Sequence, residues 1–475
     1  MMKDKLFNFL PHILVASILS MSLLGCAKYD QSFKTTPVNE LTIDAGATIF
    51  TAVQFDTFKI PVSIRATQPD KAKYRYIWKA IADDSVYVLS HEQNLDIKME
   101  LPPKRYNLQF TAIDEDNGLE HSKLFTLVVT GVFSEGWLVS HNIGTNGRLT
   151  FVRMDNKMFE NPAEEVNNMK FPGKAMAAFS AEIPSYSEYA SIHYFTESGV
   201  YRFDPVGFLL TGTTNNVFTN QTVFSNPAYG ANLTRTDQYY VNNGDVHAGM
   251  GSFTPDQISM PFSEGFGGDY YLFPVVINSA QLGTFFYDNK YKRFLNLPYL
   301  DRQLVPAVGS SKDLFNMADV GKTMIAADKG RGSSSTAVFY FIMEDNSGRY
   351  IYGLNADKPS LFQKIDPTKC PEINQATAFA TSGVLQQMYY AVDNKIYLYN
   401  IVANSAELLY SFPNATKIRD IKMKRSTSKT LAVATWANSA GQFHTFDIND
   451  LGTFVGNSPS KTLNGFGEIV HISIK

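Results

Sequence analysis

Two segments limit what this chain can fold into: Tyr239-Tyr240-Val241-Asn242-Asn243-Gly244-Asp245-Val246 and Met388-Tyr389-Tyr390-Ala391-Val392-Asp393-Asn394-Lys395-Ile396-Tyr397-Leu398-Tyr399. In each, two strand-forming runs flank a tight turn of Asn, Asp or Gly, the local signature of a β-hairpin. Related strand-turn-strand clusters open at Gly136-Trp137-Leu138-Val139-Ser140 and continue to Gln442-Phe443-His444-Thr445-Phe446-Asp447-Ile448. They recur roughly every 40–60 residues, near the length of a propeller blade. The repeated pair reads as an outer strand and an inner aromatic-x-aromatic-Asp strand. Residues 135–475 therefore have room for about seven blades at roughly 45 residues each. The last strand, Phe466 to Ile474, is expected to pair near Trp137 and close the ring, leaving no open edge.

No segment beyond the first 25 residues carries a sustained helical apolar period. The chain has 35 Phe and 25 Tyr, as aromatic-rich strands require. The fold class expected is all-β, an immunoglobulin-like sandwich followed by a β-propeller.

The sandwich is expected over 41–131, where short alternating strands follow one another. They include Lys59-Ile60-Pro61-Val62-Ser63-Ile64 and Tyr74-Arg75-Tyr76-Ile77-Trp78. Its strongest pair runs from Tyr106 to Ile113, turns through Asp114-Glu115-Asp116-Asn117-Gly118, and returns over Phe125-Thr126-Leu127-Val128-Val129. No cysteine pair pins the sheets, so Trp78 is expected to be the central packing residue.

The N-terminus has the three parts of a secretory signal. Lys3 and Lys5 precede an apolar run from Ile13 to Leu24, and Leu23-Leu24-Gly25-Cys26 forms a lipoprotein cleavage box. The expectation is removal of residues 1–25, lipidation of Cys26, and a polar tether over 26–40. Cys370 is then the one thiol left, so no internal disulfide forms, and it reads as a small buried apolar residue.

The Tyr106-to-Val129 hairpin resembles the last hairpin of PKD domains. The order of lipobox, one such domain and a long β-rich region resembles PKD-like family lipoproteins of gut-type Gram-negative bacteria. That resemblance implies an outer-membrane lipoprotein, periplasmic or surface-exposed, near nutrient-uptake systems. It implies no reaction.

The search for chemistry returns little. The net charge is −3, which argues against a nucleic-acid partner. His91, His121, His141, His193, His247, His444 and His471 are scattered without metal-ligand spacing and read as ordinary surface or strand residues. Asp114-x-Asp116-x-Gly118 resembles half a calcium loop but reads as a solvated turn. No cofactor, metal site or catalytic residue is assigned. Trp137, Tyr239 and Tyr240 are the candidate ligand contacts, because sugar rings stack on exposed aromatic faces. Tyr239 and Tyr240 are adjacent and point to opposite faces of a strand, so one of them is expected to be exposed.

The function expected is a non-catalytic, lipid-anchored binding or scaffold protein with a glycan or peptide ligand. Its partner would be an outer-membrane transporter or another lipoprotein. The rival is a propeller-type carbohydrate-active enzyme using a carboxylate pair in the central channel.

Overall fold

A computed structural model describes residues 38–69, 73–183, 186–221, 223–232, 237–250, 260–278, 283–298, 301–332 and 336–475. The expected signal peptide, Cys26 and most of the tether lie outside these residues. The chain divides into two compact units, one over residues 38–52, 56–99 and 104–129, the other over 53–55, 100–103 and 130–475.

The first unit is all β. Its strands are β1 Leu41–Asp44, β2 Ile49–Val53, β3 Thr57–Ile60, β4 Ser63–Ala66, β5 Tyr74–Ala82, β6 Ser85–Ser90, β7 Leu95–Lys98, β8 Lys104–Asp114 and β9 Glu120–Thr130. A five-stranded sheet in the order β2-β9-β8-β5-β6 is accompanied by the pairs β1-β4 and β3-β7. The single strand expected over Lys59–Ile64 is two strands, β3 and β4, belonging to different pairs. Pro61 stands between them, and a proline cannot donate to a ladder.

The long hairpin forms as its sequence indicated, with Ile113 opposite Glu120. Gly118 takes φ +73° at the turn, where a side chain would be strained. Asp114 is buried, and its carboxylate accepts the Asp116 N–H at 2.9 Å and the Asn117 amide at 3.1 Å. It braces the turn. Among the described residues no group of acids, histidines and cysteines has the arrangement a metal ion needs.

Trp78 is fully buried, with its ring centre 4.8 Å from Phe110 and 6.1 Å from Phe125. Its Nε1 donates to the Gln93 carbonyl at 3.2 Å. Trp78→Ala is expected to destabilise this unit by about 3–5 kcal/mol. Urea unfolding followed by hydrogen exchange of β5, β8 and β9 would measure it, and a loss below about 1 kcal/mol would remove Trp78 from its central place.

The second unit is a seven-bladed β-propeller. Its described strands form six four-stranded sheets and one three-stranded sheet, all antiparallel. Taken from the axis outward, blade 1 is Glu468–Ile474, Gly136–Ile143, Asn146–Arg153 and Met158–Phe159. Blades 2, 3 and 4 begin at the axis with Ala175–Ile183, Ala228–Ala231 and Ile277–Asn278. Blades 5, 6 and 7 begin with Thr323–Lys329, Ala378–Thr381 and Lys417–Met423. The C-terminal strand closes the ring as expected, pairing Trp137 with Ile474 and Asn142 with Glu468.

Each seam between neighbouring blades holds its own apolar cluster. The seam of blades 7 and 1 is built from Trp137, Val139, Phe443, Ile469 and Ile472. That of blades 6 and 7 uses Tyr389, Ile421, Val433 and Phe446. Adjacent residues of one strand serve opposite seams: Tyr389 packs toward blade 7 and Tyr390 toward blade 5. Cys370 fills the seam of blades 5 and 6, where burial pushes its thiol up to about 11.

The aromatic-x-aromatic-Asp segments were expected on inner strands. They lie instead on middle strands such as Gly199–Phe203 and Ala440–Asp447. Middle strands are covered on both faces and need the bulk; the inner strands meet at the axis and carry smaller residues such as Ala326, Ala327, Ala378 and Ala380.

Candidate functional site

Four antiparallel strands return the chain to the face on which a blade began, so all seven inner strands run the same way. Their C-terminal ends meet at one mouth of the axis. Glu182 and Lys422 are the last residues but one of their inner strands; Asn278 and Lys329 are the last. These four side chains, with His471, Tyr229, Phe179 and Phe339, line an axial cavity of about 540 Å³. That size lies within the ordinary range for small-molecule sites.

Asp328 in the wall and Asp420 beside it are committed to the protein, whereas Glu182 is exposed and takes one hydroxyl. Asp328 pairs with Arg425 and accepts the N–H groups of Thr381 at 2.7 Å and Lys329 at 2.9 Å. Asp420 accepts the Ile472 N–H at 2.9 Å, tying blade 7 to the closing strand. Burial raises the Asp420 carboxyl above its usual range. Glu182 takes the Ser180 hydroxyl at 2.7 Å.

Other groups of the cavity are not committed. Asn278 is 8% exposed, and its Oδ1 has no hydrogen-bond partner among the described residues. His471 is half-buried as a whole, but its Nδ1 is sealed from solvent and is likewise unpartnered. Burial, with the charge of nearby Lys422, pushes the His471 imidazole down to about 3. It is neutral at pH 7 and offers one donor and one acceptor. Its ring centre lies 4.9 Å from that of Phe179.

The three aromatic residues proposed from sequence are elsewhere. Trp137 is 2% exposed and packs against Phe443 in the seam of blades 7 and 1. Tyr240 is fully buried toward blade 2, and its hydroxyl lies 2.8 Å from His193 Nδ1. Tyr239 is buried toward blade 4, and its edge reaches a second cavity of about 300 Å³ with Phe266, Asp301 and Arg302. The expectation that Tyr239 or Tyr240 is exposed is therefore corrected. A propeller blade has no free face, so alternation sorts residues between seams rather than between core and water.

The axial residues were missed because nothing in their local sequence marks them. Ala326-Ala327-Asp328-Lys329 reads as the end of a short strand, and only ring closure brings it opposite Asn278 and Lys422.

A PKD-like family model matches residues 34–176, which takes in the first unit, the three outer strands of blade 1 and the first two residues of blade 2. No curated protein matches the chain. Among solved structures, the chain is similar to a quinonprotein alcohol dehydrogenase-like protein from Bacteroides thetaiotaomicron. The identity is 12%, over 92% of this chain and 99% of that one, with a TM-score of 0.41. It is also similar to an oligogalacturonate lyase from Vibrio parahaemolyticus, at 8% identity over 74% of this chain and 100% of that one, TM-score 0.41. Neither likeness lends this chain an activity.

Proposed function

We propose that this chain is a lipid-anchored, non-catalytic extracytoplasmic binding protein, with the axial cavity of the propeller as its ligand site. The observation that carries the reading is the uneven commitment of polar groups around that cavity. Asp328 and Asp420 are held by Arg425 and by main-chain N–H groups, which leaves exposed Glu182 without a second open carboxylate among the described cavity residues. The Asn278 amide and the His471 imidazole, by contrast, have buried atoms without protein partners. Such groups cost free energy. Both atoms are closed to water as they stand, so a ligand in the cavity relieves that cost once the two side chains turn toward it. A neutral imidazole beside an aromatic ring and an amide suits a hydroxylated or amide-bearing ligand.

The PKD-like unit fits the part of a spacer or contact module between the anchor and the propeller. The lipobox supports attachment to a membrane, and an outer-membrane nutrient-uptake system is the setting proposed. A pull-down from gently solubilised membranes, with the same preparation tested on glycan and peptide arrays, separates the two roles. Array binding that is lost in Asn278→Leu supports the axial site. A stable transporter partner with no array signal would replace ligand binding by scaffolding, and product release from an array hit would overturn the non-catalytic reading.

Anchoring is tested separately. Cys26→Ser is expected to move the protein from the membrane fraction to the soluble fraction and to abolish labelling by a fatty-acid probe. Acyl chains contribute on the order of 0.8 kcal/mol per buried methylene, so a multiply acylated cysteine is a durable anchor. Retention in the membrane without label would assign the attachment to something other than Cys26.

A further inference from the structure

We infer that the axial cavity takes a small hydroxylated carboxylate, a sugar acid, with Lys329 and Lys422 holding the carboxylate. This rests on the reading of the cavity as a ligand site and adds the chemical class of the ligand. Three observations lead to it.

The first is the pairing of charges. Among the carboxylates around the cavity, Asp328 is saturated by Arg425 and two main-chain N–H groups, and Asp420 is bonded to Ile472. Glu182 holds Ser180. The ammonium groups are matched less fully. Lys422 makes a single long ion pair with Asp420, at 3.8 Å, and its side chain, 42% exposed, is part of the cavity wall. The Lys329 ammonium has no ion-pair partner among the described residues, and the lysine is half-buried. Burial and the neighbouring Arg425 charge push Lys329 below its usual range, the condition of a cation without its counter-ion. An anion within reach of both lysines would supply it.

The second is the set of neutral groups. Asn278 and His471 are polar without charge, which suits hydroxyl groups. The third is the remaining wall. Phe179, Val275, Val276 and Phe339 present apolar surface, against which the carbon face of a sugar ring can be buried. A carboxylate, several hydroxyls and an apolar ring face occur together in a sugar acid. A free amino acid would bring an ammonium toward two lysines, and a neutral sugar would leave Lys329 without a counter-charge.

Calorimetric titration of the full-length protein in detergent with D-glucuronate and with D-glucose tests this, since the two probes differ by a carboxylate in place of a hydroxymethyl group. D-glucuronate is expected to bind saturably and D-glucose at least about tenfold more weakly, as a charge-assisted hydrogen bond requires. Lys329→Met and Lys422→Met are each expected to weaken D-glucuronate about tenfold and to leave D-glucose unchanged, with circular dichroism and melting confirming the fold. Equal binding of the two sugars, both weakened by Asn278→Leu, would keep the axial site and overturn the anion. D-glucuronate binding that neither lysine variant alters would place the anion elsewhere and overturn it too. If neither sugar binds at roughly 10 mM, the sugar-acid assignment falls. Absence of any Asn278→Leu-sensitive hit on the arrays as well would take the axial ligand site with it.

Discussion

Between pH 6.5 and about pH 4 the propeller is expected to lose stability at about 4 kcal/mol per pH unit from His141, His193 and His444, buried in the neutral form. His247 and His471, whose imidazoles are also lowered, add to that slope. His141, His193 and His444 are each no more than 3% exposed. Burial, the first cause in all three, pushes their imidazoles down to about 4, about 3 and about 4. An unfolded histidine titrates near 6.5. Below that value the unfolded chain binds protons that the folded chain refuses, so acid favours unfolding. The contribution is complete above pH 6.5 and is lost as the pH falls toward the folded values. Each proton taken up on unfolding is worth about 1.4 kcal/mol per pH unit, and three act together.

The geometry at His141 shows why its proton is refused. The Gly467 N–H donates to His141 Nδ1 at 3.0 Å, and a main-chain N–H can only donate. Nδ1 is therefore bare, and Nε2 carries the hydrogen toward Thr150 Oγ1 at 3.0 Å. Thr150 in turn donates to the Glu160 carbonyl at 2.6 Å. A second proton on the ring would set two N–H groups against each other where the chain enters the closing strand. His444 lies 2.9 Å from each of the Thr435 and Thr462 hydroxyls, so His444→Gln can keep hydrogen bonds while removing the titration. Urea unfolding at pH 7, 6 and 5 is the measurement. His444→Gln should flatten the slope by about a quarter. A stability unchanged from pH 7 to 5 would contradict the neutral burial of these rings.

The blades were legible because a hairpin is a local object. The turn at Asp393-Asn394 joins Gln387–Val392 to Lys395–Asn400 in the register its sequence implies. The pairing of the last strand near Trp137 followed from the same logic, since an unclosed ring leaves an open edge. Burial was less legible. Period-2 alternation says which way Tyr239 and Tyr240 point, not whether each side is covered, and a blade is covered on both. The histidines were read as ordinary for the same reason: His193 and His444 sit on middle strands whose faces are both seams. The axial site was beyond local reading altogether. Ile277–Asn278 is too short to show any period, and its meaning comes from strands of five other blades.

Removing residues 468–475 is expected to abolish cooperative folding of the propeller. The segment supplies the whole inner strand of blade 1, paired to Gly136–Ile143 from Asn142↔Glu468 to Trp137↔Ile474. Ile469 and Ile472 are buried in the seam of blades 7 and 1, and losing each costs about 2–5 kcal/mol. The ladder adds about 1 kcal/mol for each bond lost. The Ile472 N–H to Asp420 and the Ser473 hydroxyl to the Ala178 carbonyl, at 2.7 Å, go with it, detaching blades 7 and 2 from blade 1. The sum is on the order of 10 kcal/mol, comparable with the whole stability of an ordinary domain. A strand edge would also open along Gly136–Ile143, and the packed face of blade 7 would be uncovered. Calorimetry of the truncated chain should show no propeller transition, and a peptide of residues 466–475 added in trans should restore it by strand addition. Val470→Ser is the control: Val470 is 40% exposed, stands at the register shift of the closing strand and should cost no more than about 0.5 kcal/mol. A truncated chain that still melts cooperatively near the full-length temperature would mean that the other six seams suffice to hold the ring.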